Sequence, residues 1–359
     1  MQGGGASLYV HEIFKRLAWK YDVTIVSTAG AKLPVRERVD GINMVRIPFS
    51  RLCRLTIPIA WLSRITSRAD IVIDNADVAA PWLTPIYVRK PSIAIIYQIV
   101  GTIFQYELKR PLSDIAQKAE PWIYKVYGTK KIVACSPSTK DDLMRFGIPS
   151  QNISTIRPGI DESFLSYQTK GKKFSNPTVV CISRFKRYKG LQFAIRAMSH
   201  VLSKIPTANL IIAGNGDDSE IRREISKAEI GSSVSLMRRS PHLWNLEKKS
   251  LLESAHIMLV PSVREGYGIV VIEANACGTP AIGWKVPGLQ DSIVDGETGI
   301  LVPFDNVELL GEQISNLLQD NDRLERMADS AKKWSRTHSW DKAAKEFEQV
   351  IDSALSIKG

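Results

Sequence analysis

Two glutamates, Glu265 and Glu273, are the residues whose type and spacing best suit chemistry in this sequence. Seven residues separate them, and a Gly-Tyr-Gly turn (residues 266–268) follows the first. The apolar run 256–260 predicts a strand before the turn, and the apolar residues leading to Glu273 predict a helix start. A strand, a glycine turn and a helix offer backbone N–H groups to a phosphate or a sugar hydroxyl. A carboxylate there accepts two hydrogen bonds and suits a vicinal diol; the alternative for each glutamate is a solvated carboxylate at a helix end.

A basic loop precedes the glutamates by about 75 residues. It contains Arg184 and Lys189, followed by Gly190, and it comes directly after the predicted strand 178–182. Fixed cations lower the barrier to departure of a pyrophosphate, because negative charge develops on that group as its bond breaks. By itself the loop could be a solvated surface segment. Ligands of parallel α/β sheets bind at the carboxyl ends of the strands, so we expect this loop and the two glutamates to share one site.

A second glycine turn, Gly214 to Gly216, follows the next predicted strand, 209–213. Such a turn is common in proteins, and a tight turn is its first interpretation. Its second interpretation is a ligand-binding role on the same side of the sheet as the basic loop.

Strand-like and helix-like segments alternate along the whole chain. Strands are predicted near 23–26, 43–47, 71–73, 92–96, 131–135 and 153–156, and again at 178–182, 209–213, 233–236, 256–260 and 279–282. A helix is predicted over 6–20, another opens at Ser136-Pro137, and the tail from 307 is predicted helical with breaks near Asp320 and Thr337. This order predicts an α/β fold of two Rossmann-like domains with parallel sheets that face each other across a cleft. We expect one domain over 1–165, a second over 166–336 and a final helix over 337–359, with a linker at 157–177.

Composition narrows the class of protein. The chain has 359 residues, 44% hydrophobic and 24% charged, which suits a two-domain globular protein. No apolar run reaches the roughly 18 residues of a membrane span. The four cysteines show no metal-ligand spacing, and Cys135 and Cys181 lie in apolar runs, which favours reduced buried thiols and a cytoplasmic protein.

The net charge of +11 is uneven along the chain. Residues 1–165 hold 22 Lys and Arg against 14 Asp and Glu, an excess of +8. A basic surface of this kind attracts nucleic acid, anionic lipid or a phosphorylated acceptor. The sequence has no zinc finger, no RNA-binding aromatic signature and no basic-helix motif, so nucleic acid is the least favoured partner.

The stretches 183–190, 261–274 and 287–299 together carry a resemblance to a known family. They resemble the Arg-x4-Lys-Gly motif, the paired-glutamate signature and the closing glycine-rich segment of the retaining glycosyltransferases with the GT-B fold, family 4 (glycosyl transferases group 1). Weaker similarity at 156–161 and 339–344 extends the resemblance over nearly the whole chain, with the last helix crossing back to the first domain. Enzymes of this family transfer a sugar from a nucleotide diphosphate to an acceptor.

The resemblance implies a role for each matching residue. Arg184 and Lys189 would hold the donor diphosphate, Glu265 would hold the transferred sugar, and Glu273 would bind the ribose hydroxyls. The catalytic set is then Glu265, Arg184 and Lys189. Backbone N–H groups would come from the two glycine turns, which are Gly4 and Gly5 in the first domain and Gly266, Tyr267, Gly268 and Ile269 in the second.

Two departures from the family pattern concern the first domain. Family members begin with a strand before the glycine loop, whereas Gly3-Gly4-Gly5 stands almost at the start of this sequence. We therefore expect that the native first strand is missing from the sequence as given. Many members also carry a histidine after the strand matched by 93–97, where this chain has Tyr97-Gln98, and His11 on the first helix is predicted to be structural.

The function expected from the resemblance is a retaining, metal-independent glycosyltransferase without a cofactor, whose co-substrate is a nucleotide-diphosphate sugar. The acceptor would be a glycan or a lipid-linked molecule of a glycoconjugate or cell-envelope polysaccharide. Cationic side chains and helix dipoles stand in for a metal in GT-B enzymes. The main alternative is a non-catalytic nucleotide-sugar-binding partner or degenerate subunit. A GT-B epimerase or phosphorylase is a further alternative, although no context supports the pyridoxal-phosphate lysine that a phosphorylase needs.

The segment 51–68 is the candidate for contact with an acceptor-bearing membrane. It mixes four arginines with Trp61 and several aliphatic residues and has no acidic residue before Asp70. This composition is typical of a helix that lies in a membrane interface, and it also fits a core-packed helix with a basic edge. We expect a peripheral contact with the inner, anionic face of the membrane.

Overall fold

Strands and helices alternate along the chain in the computed structural model, which describes residues 4–29, 34–48, 66–76, 83–165, 172–238 and 244–356. The chain forms two units. The first comprises Met1–Ile99, Ala119–Gly159 and Ser339–Gly359, and the second comprises Val100–Lys118 and Ile160–His338. The segment 51–65, on which most of the predicted membrane contact falls, lies outside the described residues.

The elements of the first half include those that form the sheets of the first unit. In chain order they are α1 (Gly5–Leu17), β1 (Thr24–Ala29), β2 (Arg36–Val39), β3 (Ile42–Pro48), β4 (Val72–Asn75), α2 (Thr84–Tyr87), β5 (Ser92–Ile96), α3 (Ile103–Glu107), α4 (Leu112–Lys125), β6 (Lys131–Ala134), α5 (Pro137–Arg145), β7 (Ile153–Thr155) and α6 (Glu162–Leu165).

Two sheets form in the first unit. One has the strand order β1-β3-β2, and the other is the parallel sheet β4-β5-β6-β7. Helix α5 begins as the sequence predicts, because the Ser136 side chain accepts a hydrogen bond from the backbone N–H of Thr139 and Pro137 occupies the first turn. The predicted absence of a native first strand stays a prediction.

The elements of the second half include the sheet of the second unit. They are β8 (Thr178–Phe185), α7 (Leu191–Lys204), β9 (Asn209–Gly216), α8 (Ser219–Ala228), β10 (Val234–Arg238), α9 (Trp244–Ser254), β11 (Ile257–Val260), α10 (Ile269–Ala276), β12 (Ala281–Trp284), α11 (Leu289–Ser292), β13 (Gly299–Val302), α12 (Val307–Gln319), α13 (Asn321–Ser335) and α14 (Trp340–Ser356). The sheet is parallel, with the order β10-β9-β8-β11-β12-β13.

Each unit has its own apolar core. In the first, α1 packs on α14, with Tyr9 against Trp340 and Phe14 against Phe347 at ring-centroid distances of 5.8 and 5.3 Å. Helix α14 thus belongs to the first unit although it is last in the chain. In the second, buried strands such as β11 run between helices on both faces. Buried strands that carry apolar residues at every position are characteristic of parallel sheets.

The predicted order of elements is largely confirmed, including the helical tail with breaks at 320 and between 335 and 340. Two strands were not predicted. β2 has the sequence Arg-Glu-Arg-Val, whose charged residues are unusual in strands but tolerated at a sheet edge. β13 has only four residues and follows a glycine turn, so its sequence cannot be distinguished from the end of that loop.

Candidate active site

The basic loop and the first glutamate both follow strands that are neighbours in the second sheet. β8 and β11 pair in parallel, with Val179 opposite Ile257. Residues 184–189 lie at and beyond the carboxyl end of β8, and Pro261 begins the loop beyond β11. Ligands of such sheets bind at these ends, so the topology brings the two predicted motifs to one edge.

Gly190 allows the two loops to touch through their backbones. It adopts a left-handed φ of +70°, and a Cβ atom at this position would lie 1.9 Å from the carbonyl oxygen of Pro261. The backbone N–H of Val263 donates to the carbonyl of Tyr188 at 2.9 Å. Glycine is therefore required after Lys189 for the close approach as well as for the backbone angle.

Lys189 and Glu265 form an ion pair across these loops. The distance from Nζ to Oε1 is 2.6 Å, and 14% of each side chain is exposed. The ammonium group also lies 5.1 Å from the centroid of the Tyr188 ring. Two residues that sequence reasoning assigned to the same site are thus in direct contact.

Arg184 reaches the same cluster through Tyr188. Its Nη2 donates to the Tyr188 hydroxyl at 2.8 Å, and the arginine itself is exposed to solvent. Tyr188, which is buried, therefore contacts both Arg184 and Lys189. This tyrosine was not singled out from the sequence.

The loop that carries Glu265 is held by the glycine-rich segment after β12. The Glu265 N–H donates to the carbonyl of Pro287 at 3.2 Å. A Cβ on Gly288, whose φ is +83°, would lie 2.2 Å from the Glu265 carbonyl oxygen. The segment resembling the family's closing motif thus fixes the backbone of the first glutamate.

The turn between the glutamates opens helix α10. Gly268 has a φ of +87° and precedes the first helical residue, Ile269. The first N–H groups of a helix have no partner within it, which makes this turn a source of backbone donors. The Tyr267 side chain is buried, and its hydroxyl lies 2.6 Å from Nε2 of His338. Any contribution of Gly266 or Tyr267 to a ligand would therefore come from the backbone.

Glu273 forms a second ion pair that the sequence did not predict. Its Oε1 lies 2.6 Å from Nζ of Lys248 on α9, and 8% and 11% of the two side chains are exposed. The Lys248 ammonium also lies 5.1 Å from the centroid of the Phe164 ring. No local pattern connects Lys248 to Glu273, because the two are 25 residues apart on different helices.

Gly4 and Gly5, the predicted site residues of the first unit, lie at the start of helix α1. Gly4 is its N-cap and Gly5 its first helical residue. The carbonyls of Tyr97 and Gln98 accept hydrogen bonds from Thr139 and Tyr124, at 3.1 Å each.

Among the other titratable groups, His11 is buried and lies 2.8 Å from Asp40, which agrees with a structural role. Cys135 and Cys181 are free and buried, as predicted, and burial raises the pKa of both thiols. Within the described residues, no three His, Cys, Asp or Glu side chains are grouped so that they could hold a metal ion.

Comparisons with known proteins agree with this architecture. The family model "Glycosyltransferase Family 4" matches residues 3–164, and the model "Glycosyl transferases group 1" matches residues 166–334. The chain therefore belongs to the group 1 glycosyltransferases of the GT-B fold, as its motifs indicated.

Three distant relatives match over nearly their full length. An uncharacterized glycosyltransferase of Methanocaldococcus jannaschii is 26% identical, with 99% of this chain and 96% of the relative covered. The structure of sucrose-phosphate synthase from Thermosynechococcus elongatus superposes with a TM-score of 0.83 at 20% identity, covering 99% and 95% of the two chains. HepE of Anabaena, solved in complex with UDP-glucose, has a TM-score of 0.76 at 16% identity, with 98% and 97% covered.

Proposed function

We propose that this glycosyltransferase moves a hexosyl group from a nucleotide-diphosphate sugar to a glycan or lipid-linked acceptor with retention of configuration. The observation that carries the proposal is the contact between Lys189 and Glu265, 2.6 Å apart beyond the carboxyl ends of β8 and β11. Lys189 suits a diphosphate and Glu265 suits a sugar hydroxyl. The bond between the diphosphate and the sugar of the donor would therefore lie beside this pair. The HepE complex with UDP-glucose supports a nucleotide-sugar donor.

Two cations of the basic loop would act on the leaving group. Arg184 and Lys189 would bind the diphosphate, whose negative charge grows as the glycosidic bond breaks. Backbone N–H groups at 266–269 would add donors. Binding of the diphosphate would give Lys189 a new anionic partner, and the Glu265 carboxylate could then accept hydrogen bonds from the transferred sugar.

The bond changes balance without a side-chain nucleophile. The bond between C1 of the sugar and the phosphate oxygen breaks, and its electron pair goes to the phosphate. The acceptor hydroxyl oxygen forms the new bond to C1 on the same face, while its proton passes to the departing phosphate oxygen. The products are the glycoside and the nucleoside diphosphate. Glu265 would polarise and hold the sugar through this step, and Glu273 would bind the ribose.

The proposed chemistry needs no cofactor beyond the donor, because Arg184 and Lys189 supply the positive charge that a divalent ion supplies elsewhere. Metal independence is tested by measuring nucleoside diphosphate release with and without EDTA. Equal rates support the proposal, and loss of activity that Mg²⁺ or Mn²⁺ restores would contradict it.

The donor is identified by thermal unfolding. UDP-, GDP- and ADP-hexoses are added in turn, because a ligand that binds only the folded state raises the Tm. We expect one nucleotide series to raise the Tm clearly. No shift with any member would contradict a nucleotide-sugar donor.

Hydrolysis of that donor in the absence of an acceptor tests both the turnover and the stereochemistry of the reaction. Proton NMR of the first turnovers should show an α-hexose released from an α-linked donor, as retention requires. A β-hexose would contradict retention. Binding without any release, even with a panel of glycan and lipid-linked acceptors, would favour the alternative of a non-catalytic nucleotide-sugar-binding subunit.

Helix α4 supports a peripheral membrane contact. Its solvent side carries Leu112, Ile115 and Trp122, which are 56%, 59% and 70% exposed, whereas Ser113 and Glu120 are buried. Tyr124 is buried on the opposite side, so the helix carries apolar side chains on both sides, whereas the solvent side of a surface helix is usually polar. Four basic residues lie in this helix or just before it, namely Lys109, Arg110, Lys118 and Lys125. None of the helices in the described part of the chain has the length and apolar character to cross a membrane.

An apolar face with Trp and flanking cations fits the surface of an anionic bilayer, where each basic residue adds about 1 kcal/mol. Co-sedimentation with phosphatidylglycerol and phosphatidylcholine vesicles at low and high salt tests this contact. Trp122→Glu should lose binding to the anionic vesicles. The control is Trp19→Glu, since Trp19 is 82% exposed and lies outside α4. Negligible wild-type binding to both vesicles would contradict the contact and favour a soluble acceptor.

A further inference from the structure

We infer that Lys248 is a positioning residue that holds the Glu273 carboxylate in the orientation that the ribose hydroxyls of the donor require. The inference rests on the proposed donor site and adds a residue to it that lies outside the motifs read from the sequence. Lys248 would act through Glu273 and would not itself take part in bond cleavage.

Three helices bring this pair together. Lys248 extends from α9, Glu273 lies in the second turn of α10, and Phe164 of α6 lies beside the ammonium group. The Nζ–Oε1 distance of 2.6 Å is short, as expected of a charge-assisted hydrogen bond. Because both side chains are nearly buried, their rotamers are restricted, and one carboxylate oxygen is held while the group points in a fixed direction.

Burial makes the cation necessary for the position of the glutamate. A buried carboxylate that loses its ion-pair partner carries an uncompensated charge, which is strongly unfavourable. Without Lys248, the Glu273 side chain would therefore leave this position for water or for another partner. Its two oxygens would then no longer be fixed to accept hydrogen bonds from both hydroxyls of a ribose.

Other ionisable groups surround this region of α10. Burial, and secondarily the charges of Glu253 and Glu273, raise the pKa of Cys277 to about 12, so this thiol is neutral near pH 7. Lys249 and Glu253 of α9 form an ion pair with each other at 3.9 Å. Two further groups near this end of the helix are Lys173, which acts on Cys277, and Lys332 of α13, which lies beside Gly278. Of these, Lys248 is the group that contacts the Glu273 carboxylate.

The test is donor affinity, measured by calorimetry at one pH with the nucleotide sugar that raises the Tm of the wild type. We expect Lys248→Arg to keep wild-type affinity and Lys248→Met to bind about tenfold more weakly, the value of about one charge-assisted hydrogen bond. In the Glu273→Gln background, Lys248→Met should cause no further loss of affinity, because the lysine acts only through the glutamate.

Lys249→Met is the matched control, because it removes the neighbouring lysine of the same helix and should leave donor affinity unchanged. If Lys248→Met does not fold, Lys248→Gln replaces it, since it removes the charge and shortens the side chain. Unchanged donor affinity in the folded uncharged variant, or an equal loss in the Glu273→Gln background, would overturn the inference. Failure of the proposed function would look different, because the wild type itself would then bind no nucleotide sugar.

Discussion

The two lysine–glutamate pairs of the second unit have the same Nζ–Oε1 distance of 2.6 Å, but they lie in different parts of the structure. Lys189 and Glu265 join two loops beyond neighbouring strands, and 14% of each side chain is exposed. Lys248 and Glu273 join two helices and are more deeply buried. Breaking a buried ion pair leaves one charge without compensation, so the deeper pair has the greater reason to persist when a ligand binds. The more accessible pair is free to exchange partners with a substrate, which suits the reacting end of the site.

The largest expected effect comes from breaking the loop pair. Lys189→Ala and Arg184→Ala should each lower kcat by about 10²–10³, which corresponds to about 2.7–4 kcal/mol of lost transition-state stabilisation. Glu265→Gln should also act mainly on kcat. Initial rates of nucleoside diphosphate release and circular dichroism of the variants provide the measurement.

The control for the basic loop is Arg187→Ala. Arg187 is exposed, lies in the same loop and pairs with Glu220 at 3.2 Å, so its loss should change kcat less than twofold or so. Near-wild-type rates in both Lys189→Ala and Arg184→Ala would show that the diphosphate is bound elsewhere.

The next effect concerns the glycine that lets the loops meet. Gly190→Ala should cost at least about 3 kcal/mol of unfolding free energy, because a left-handed φ costs about 1–3 kcal/mol and the new Cβ also collides with Pro261. Gly296→Ala is the matched control. Gly296 has a φ of +79° and no atom within 4 Å of its would-be Cβ, so only the backbone cost remains. Urea titrations compare the two variants, and equal losses would contradict the close loop contact.

Substitution at the helix pair should separate binding from rate. Glu273→Gln should weaken nucleotide affinity about tenfold, the value of about one charge-assisted hydrogen bond, and leave kcat at saturating donor nearly unchanged. Calorimetry and saturation kinetics measure the two quantities. An unchanged affinity would contradict the ribose role of Glu273, whereas a selective loss of kcat would indicate that this residue contacts the reacting sugar.

The smallest effect concerns the turn between the glutamates. Tyr267→Phe removes the buried hydroxyl contact with His338 and should lower the unfolding free energy by about 1–2 kcal/mol. The backbone N–H groups of the turn remain, so donor affinity should stay within about twofold. Thermal unfolding and calorimetry check both values. A large loss of affinity with unchanged stability would mean that the tyrosine side chain contacts the donor.

The parts of the candidate site that could be predicted from the sequence are those formed by short, local patterns. The glutamate spacing and the Arg-x4-Lys-Gly loop are short patterns attached to recognisable strands, so their shared edge followed from parallel topology. Lys248 and Tyr188 could not be found this way. Lys248 meets Glu273 only because two helices pack together, and Tyr188 lies between the cations as one residue of a loop whose conformation depends on Gly190.

Prediction of the fold from the sequence has the same limit. Strongly apolar strands such as β5, β8 and β11 stand out in the sequence, because a buried parallel strand carries apolar residues on both faces. β2 and β13 do not, since the charged edge strand and the four-residue strand are recognisable only through their partners β3 and β12. Helix α4 was not predicted as an exposed apolar surface, because the sequence alone does not show that Ser113 and Glu120 are buried while Leu112, Ile115 and Trp122 are exposed.

The most direct test of the donor site compares a nucleoside diphosphate with its nucleoside on two variants. Calorimetric titrations use the diphosphate that raises the Tm of the wild type and the corresponding nucleoside. Lys189→Met should weaken binding of the diphosphate at least about tenfold and leave nucleoside affinity unchanged, whereas Glu273→Gln should weaken binding of both ligands by a similar factor. Equal losses for both ligands in Lys189→Met, or nucleoside binding unaffected by Glu273→Gln, would mean that the proposed donor site is wrong.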